Sequence, residues 1–147
     1  MGSGTEEYSE NMEIKGASIE GLLVIEPRVF KDDRGAFFES FNKKLFDEIT
    51  EEKYRFVQDN QSISKKNVLR GLHFQKPPFA QGKLVRVIKG AVLDVVVDIR
   101  KSSKTYGQHF SIVLSAENNM QFFIIWSGKL FSNAITSSTV ETSVILI

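Results

Sequence analysis

The stretch AVLDVVVDIR, Ala91 to Arg100, alternates with a two-residue period. In an extended chain Asp94, Val96 and Asp98 fall on one side, and Val95, Val97 and Ile99 on the other. Similar short β-rich runs surround it: YRFVQDNQSIS, NVLRGLHFQ, KLVRVIKG and HFSIVLSAE, separated by clusters of Gly, Pro, Ser and Asn. Upstream, IEGLLVIEPRVF is an apolar extended run broken by Pro27, and the polar turn KDDRG follows it, with Gly35 available for positive φ. FNKKLFDEIT is the one helical segment; Asn42 can cap it, and Leu45, Phe46 and Ile49 share a face. No alternation of strands and helices suggests a parallel sheet. The expectation is an all-β fold with one short helix: a sandwich, jelly roll or small barrel whose interior is lined by every second residue.

The chain of 147 residues is long enough to enclose one core. Hydrophobic residues make up 41% of it, and its 12 Phe suggest a core filled largely by aromatic rings. Nineteen Lys and Arg against 18 Asp and Glu leave a formal charge of +1, which argues against a nucleic-acid or membrane-surface role. With no cysteine, disulfides and thiolate metal sites are excluded, and a cytoplasmic location is the natural expectation. No apolar run approaches the length of a membrane span. Residues 1–11, MGSGTEEYSEN, read as a disordered or cloning-derived leader, with Met12 a candidate natural start. Residues 12–147 form a single expected domain with an atypical tail from about 125.

The segment VLRGLHFQKPPFAQGKLVR, Val68 to Arg86, gathers a histidine, glycines, a Pro-Pro pair and four cations. In a regular strand Arg70, Leu72 and Phe74 oppose Gly71, His73 and Gln75, whereas a bulge at Gly71 brings Arg70 and His73 into one cavity. Composition alone makes His73 a half-buried, hydrogen-bonded strand residue and Lys83, Arg86 and Lys89 an exposed strand face. Small β-barrels often hold a metal on paired histidines. Here Phe74 and Gln75 follow His73, and the other histidine, His109, stands alone, so too few imidazoles are present for a tight divalent site.

Longer words are more specific. FVQDNQSISKKNVLRGLHFQ, AQGKLVRVIKGAVLDVVVDIRKSSKTYGQ and LSAEN, with EPRVFKDDRGAFFESFN upstream, closely resemble the dTDP-4-dehydrorhamnose 3,5-epimerase family of cupin-like jelly rolls, from about Ile19 to Ile124. The resemblance implies an isomerase that needs no metal or redox cofactor. It would invert C3 and C5 of a thymidine diphosphate 4-keto-6-deoxy sugar through enolate intermediates, in dTDP-rhamnose biosynthesis. A proton beside a ketone is a weak acid, so a base must be paired with donors that stabilise the developing oxyanion. By similarity His73 is the base, and Lys83 the protonated enolate stabiliser. Asp94 either orients His73 or caps a hydrogen-bond network. Arg70, with Lys83, would sit near the sugar oxygens, and Gln58 and Asn60 would contact the sugar or pyrophosphate. Arg34 would pair with phosphate through its planar fork, while Phe38 and Glu39 would meet the nucleotide. A homodimer is expected, because the early strand around Leu22 to Phe30 often joins a neighbour's sheet in such folds.

After QFFI the chain departs from the resemblance. The family continues with a Pro-containing turn, a second histidine, a strand carrying a general-acid tyrosine, and later an aspartate paired with the base. This sequence reads IWSGKLFSNAITSSTVETSVILI, and its tyrosines are Tyr8, Tyr54 and Tyr106. Permissive codons for Trp126 to Glu141, reread one nucleotide earlier, give words like those expected further along the family, so a frame change with a short deletion would account for the tail. Its β-branched residues suit strands, with VILI expected as an uncovered apolar edge. Three functional readings follow: the epimerase itself, a catalytically impaired member that still binds a nucleotide sugar, and a single-site epimerase or ketoisomerase.

Overall fold

The computed structural model describes residues 11–51, 54–124, 131–137 and 141–146, the last two stretches by their backbone alone. Residues 1–10, expected to be disordered, lie outside it. In chain order the elements are β1 (Met12–Gly16), β2 (Leu22–Pro27), β3 (Phe30–Asp32), β4 (Gly35–Phe37), α1 (Lys43–Thr50), β5 (Asn60–Lys65), β6 (Leu69–His73), β7 (Lys83–Lys89), β8 (Ala91–Asp98), β9 (His109–Ser115), β10 (Gln121–Ile124), β11 (Phe131–Ser137) and β12 (Glu141–Leu146). They form a six-stranded sheet, β1-β2-β10-β7-β12-β5, a four-stranded sheet, β6-β11-β8-β9, and the separate hairpin β3-β4. Every pairing is antiparallel. Two facing antiparallel sheets with crossovers between them make the expected jelly roll.

The alternation seen in the sequence decides which residues lie between the sheets. Along β8 the Asp94 and Val96 side is buried, together with Val92 and Asp98, while Leu93 is exposed. These inward valines pack with Leu114 of β9 and, from the larger sheet, Leu22, Val85, Val87, Phe122 and Ile124. Transfer of such side chains from water is the main favourable contribution to folding, at roughly 25 cal/mol per Å² of apolar surface. The barrel core is therefore mostly aliphatic. Most ring contacts lie instead on the outer face of the larger sheet, where the Phe46 ring of α1 meets Phe123 edge-on at 4.7 Å and Phe56 at a tilt at 4.8 Å.

Helix α1 forms as its sequence suggests. The Asn42 side chain accepts a hydrogen bond from Leu45 N at 3.1 Å, satisfying one of the first-turn donors. Leu45 and Phe46 bury against Met12, Ile14, Ile25, Leu84 and Phe123. The chain stops helical geometry at Glu51, in a left-handed cap at φ 53°.

Three expectations change. Tyr54 to Asp59 precede β5 as irregular chain rather than strand. β2 lies between β1 and β10, and its Leu22 to Ile25 backbone, paired with β10 on one side and from Leu23 with β1 on the other, is not available to a neighbour's sheet. β12, which holds Val144 to Leu146 of the VILI end, lies between β7 and β5 and is not an edge. Ile147 lies outside the described residues.

At the end of β8 the chain binds its own charge. Asp98 and Arg100, 0% and 4% exposed, pair at 2.7 Å, and Ser103 and Thr105 each donate to Asp98 Oδ2 at 2.6 Å. Burial alone would push the Asp98 carboxyl up, but the hydrogen bonds from Arg100, Ser103 and Thr105 outweigh it and hold the group far below its ordinary value of 3.8. The stabilisation from this group is thus present above the ordinary carboxylate range and is lost only as pH falls through the depressed folded value. Arg100→Met should cost about 3–5 kcal/mol, because it strands a buried carboxylate. Urea unfolding at neutral pH measures this, and a loss under 1 kcal/mol would contradict the pairing's importance.

Candidate functional site

Pairing registers place the polar residues of the Val68 to Arg86 segment. β11 sets Asn133 opposite His73 and Ile135 opposite Arg70, so two steps on β11 match three on β6. β6 therefore carries one extra residue between Arg70 and His73, and Gly71 there has φ 107°. The bulge reverses the parity of the strand. Across β11, Asn133 faces Val96 and Ile135 faces Asp94 on β8. Arg70 and His73 consequently share the inward side with Asp94 and Val96, as the sequence expected of a bulge. Both are nevertheless exposed, so solvent reaches the interior along the β6 side.

The larger sheet contributes from across the interior. Ile124 of β10 pairs with Lys83, and Phe122 with Val85. Since Ile124, Phe122, Val85 and Val87 all belong to the inter-sheet core, Lys83 points inward at the same end. Further along this sheet Val85, Leu146 and Asn60 form one row. Asn60 lies on the inward side, and its Oδ1 accepts from Gln58 Nε2 at 3.1 Å; Gln58 itself precedes β5. Arg70 Nε donates to Ser64 Oγ at 3.0 Å. Ser64 was not singled out in the sequence, where nothing distinguishes it from Ser62 in QSISK.

Electrostatics tie the group together. His73, though solvent reaches it, is held below its ordinary value of 6.5, chiefly by the partial desolvation of its ring against the fold and then by the Lys83 charge. Lys83 is lowered from 10.5 by burial, against which the Asp94 carboxylate works. Asp94 is 0% exposed. A histidine kept neutral near physiological pH can accept a proton, and a half-buried ammonium near it can stabilise an anion formed there. The catalytic candidates His73, Lys83 and Asp94 are thus brought together, with Arg70, Asn60 and Gln58 near the opening.

The remaining candidates lie elsewhere. Arg34, in the turn of the β3-β4 hairpin, is 90% exposed and binds Asp32 through Nη2 at 2.6 Å and Nε at 3.1 Å. Half-buried Glu39 accepts from Asn42 Nδ2 at 3.0 Å, beside the helix cap, and Phe38 is also half-buried. None of the three belongs to the inward-facing group of the two larger sheets.

Comparison with known proteins gives this arrangement a lineage. The family model described as dTDP-4-dehydrorhamnose 3,5-epimerase matches residues 16–144. The chain belongs to that family. It is 55% identical over 113 residues to the dTDP-4-dehydrorhamnose 3,5-epimerase of Shigella flexneri, covering 77% of this chain and 62% of the relative. With the enzyme of the same name from Salmonella typhimurium it shares 58% over 107 residues, covering 73% and 58%. A solved dTDP-6-deoxy-D-glucose-3,5-epimerase from Legionella pneumophila, in complex with dTDP-4-keto-L-rhamnose, superposes with a TM-score of 0.84 at 43% identity, covering 92% of this chain and 70% of that one. The fold is accordingly the cupin-type jelly roll of the family. The chain spans less than two thirds of the length of these two curated relatives. The family match nevertheless runs past Ile124 and through β11 into β12.

The electrostatic coupling can be checked without any ligand. Lys83→Met removes the positive charge facing His73, so the His73 titration followed by ring-proton NMR should move up toward its ordinary value. An unmoved titration would place Lys83 away from the imidazole.

Proposed function

We propose that this chain is a dTDP-4-dehydrorhamnose 3,5-epimerase, inverting C3 and C5 of a thymidine diphosphate 4-keto-6-deoxy sugar in cytoplasmic dTDP-rhamnose biosynthesis. The observation that carries the reading is the meeting of His73 from one sheet and Lys83 from the other across an interior open to solvent. A sugar between them has a base on one side and an ammonium on the other. His73 removes the proton beside the C4 ketone, and Lys83 stabilises the enolate oxygen as charge develops. Asp94 keeps Lys83 charged despite its burial. Arg70, Gln58 and Asn60 bind the sugar and pyrophosphate at the opening. Only protons move, so the reaction calls for no redox group.

The hairpin supplies the argument for a homodimer. Phe30 and Phe37 pair with each other across β3 and β4 and are 45% and 74% exposed. Among the described residues the hairpin has no further sheet partner. A second chain covering it would bury both rings and would place Arg34, Phe38 and Glu39 at a shared nucleotide site. Sedimentation velocity at micromolar concentration should give a dimer; a folded monomer would contradict this.

The tail favours a second reading, that of a binding member with impaired inversion. β11 and β12 fill places between β6 and β8 and between β7 and β5, so both sheets around the interior are continuous. Yet FSNAITS and ETSVIL contain no tyrosine, and Glu141, at the start of β12, is their one ionisable side chain. Loss of a positioned acid typically costs about 10²- to 10⁴-fold. Deuterium wash-in from solvent at C3 and C5 of the 4-keto substrate separates the cases. Exchange at both carbons is expected, with inversion slower than in an intact relative by that factor. Exchange at one carbon would indicate a single-site epimerase, and full-rate inversion would mean that the tail supplies an acid.

His73→Ala should abolish this exchange while leaving affinity for thymidine diphosphate nearly unchanged, since the base removes a proton and does not dock the nucleotide. Arg34→Ala should weaken thymidine diphosphate binding, as measured by calorimetry. Equal loss of binding in both variants would sink the division of roles.

A further inference from the structure

The two sheets are not hydrogen-bonded to each other where β5 and β6 form their adjoining edges. The chain crosses this seam by the turn from Lys65 to Val68, closed by Val68 N donating to Lys65 O at 3.4 Å. A side-chain bond also crosses it, from Arg70 Nε to Ser64 Oγ at 3.0 Å. Ser64 is half-buried and shares its side of β5 with Ser62 and Asn60, whereas Gln61 and Ile63 are exposed on the other. Arg70 is inward by the β6 register but exposed to solvent.

A guanidinium on a long exposed stem samples many rotamers, and ordering it opposes binding. Engaging Nε fixes the plane of the fork and leaves the four N–H bonds of the two terminal nitrogens directed beyond Ser64, where they can meet two oxygens at once. The bond is also short in sequence, spanning six residues and one turn, so β5 and β6 fold it locally. We propose that Ser64 is a positioning residue, whose hydroxyl holds the Arg70 guanidinium in the plane that receives the oxygens of the nucleotide sugar. This rests on the reading of the interior as a thymidine diphosphate sugar site.

Calorimetry with dTDP-glucose tests the proposal on the wild type, Ser64→Ala, Ser64→Thr, Arg70→Ala and the Ser64→Ala/Arg70→Ala pair. Ser64→Ala should weaken binding about 3- to 10-fold, the usual scale of one hydrogen bond, while Ser64→Thr, which keeps the hydroxyl, should stay within about twofold. In the Arg70→Ala background Ser64→Ala should cost nothing further, because the residue it positions is gone. In parallel, the Arg70 Nε–H should exchange with solvent more slowly in the wild type than in Ser64→Ala, as read by 15N NMR. An undiminished effect of Ser64→Ala when Arg70 is absent, or Nε–H exchange indifferent to Ser64, would overturn the proposal. A wild type without affinity for dTDP-glucose would instead remove the functional reading, and the exchange comparison would still decide whether Ser64 holds the guanidinium.

Discussion

One extra residue between Arg70 and His73 governs the chemistry of the interior. A strand sends alternate side chains to opposite faces, so residues three apart diverge unless the ladder slips. The slip in β6, taken at a glycine with positive φ, turns both side chains to the inward face that Asp94 and Lys83 share. Without it, one of the pair would point to bulk water. The polar end of the barrel is thus built by backbone geometry first and by side-chain type second. Its opposite partner needs no such device, since Lys83 lies in step with Val85 and Val87 on a regular stretch of β7.

Placing charged groups beside an aliphatic core carries an electrostatic cost that the fold distributes between two designs. At the end of β8 the carboxylate of Asp98 is fully engaged by Arg100, Ser103 and Thr105, which makes it a structural anchor. In the interior, burial moves His73 and Lys83 toward their neutral forms and Asp94 opposes the change at Lys83. The first arrangement fixes a protonation state; the second leaves one within reach of change. That contrast separates a stabilising ion pair from a reactive cluster more clearly than residue type does.

Local patterns in the sequence were legible wherever local physics decided the outcome. The alternation in AVLDVVVDIR marked Asp94 and Asp98 as sharing a face, Asn42 marked the start of the helix, and Gly71 marked the bulge. What depends on distant partners was not legible. Whether β2 or β12 lies at an edge is set by strands up to a hundred residues away, and nothing in LLVIEP or VIL records it. Phenylalanine content likewise gave no location: Phe46, Phe56 and Phe123 cluster at α1, whereas Phe122 lies in the barrel core. Ser64 was missed for the same reason: its role appears only when β6 is folded against β5.

The positions of β11 and β12 impose an order on assembly. Each enters between two strands that precede it in the chain, so neither sheet is continuous until these late segments arrive. A growing chain that has already made β6, β7 and β8 carries their unsatisfied edges exposed to any passing strand, including those of its siblings. Pairings of such long sequence separation also form slowly. Biogenesis, more than the finished fold, is therefore where this topology is most vulnerable, and chaperone protection during synthesis would matter most in the interval before β11 docks.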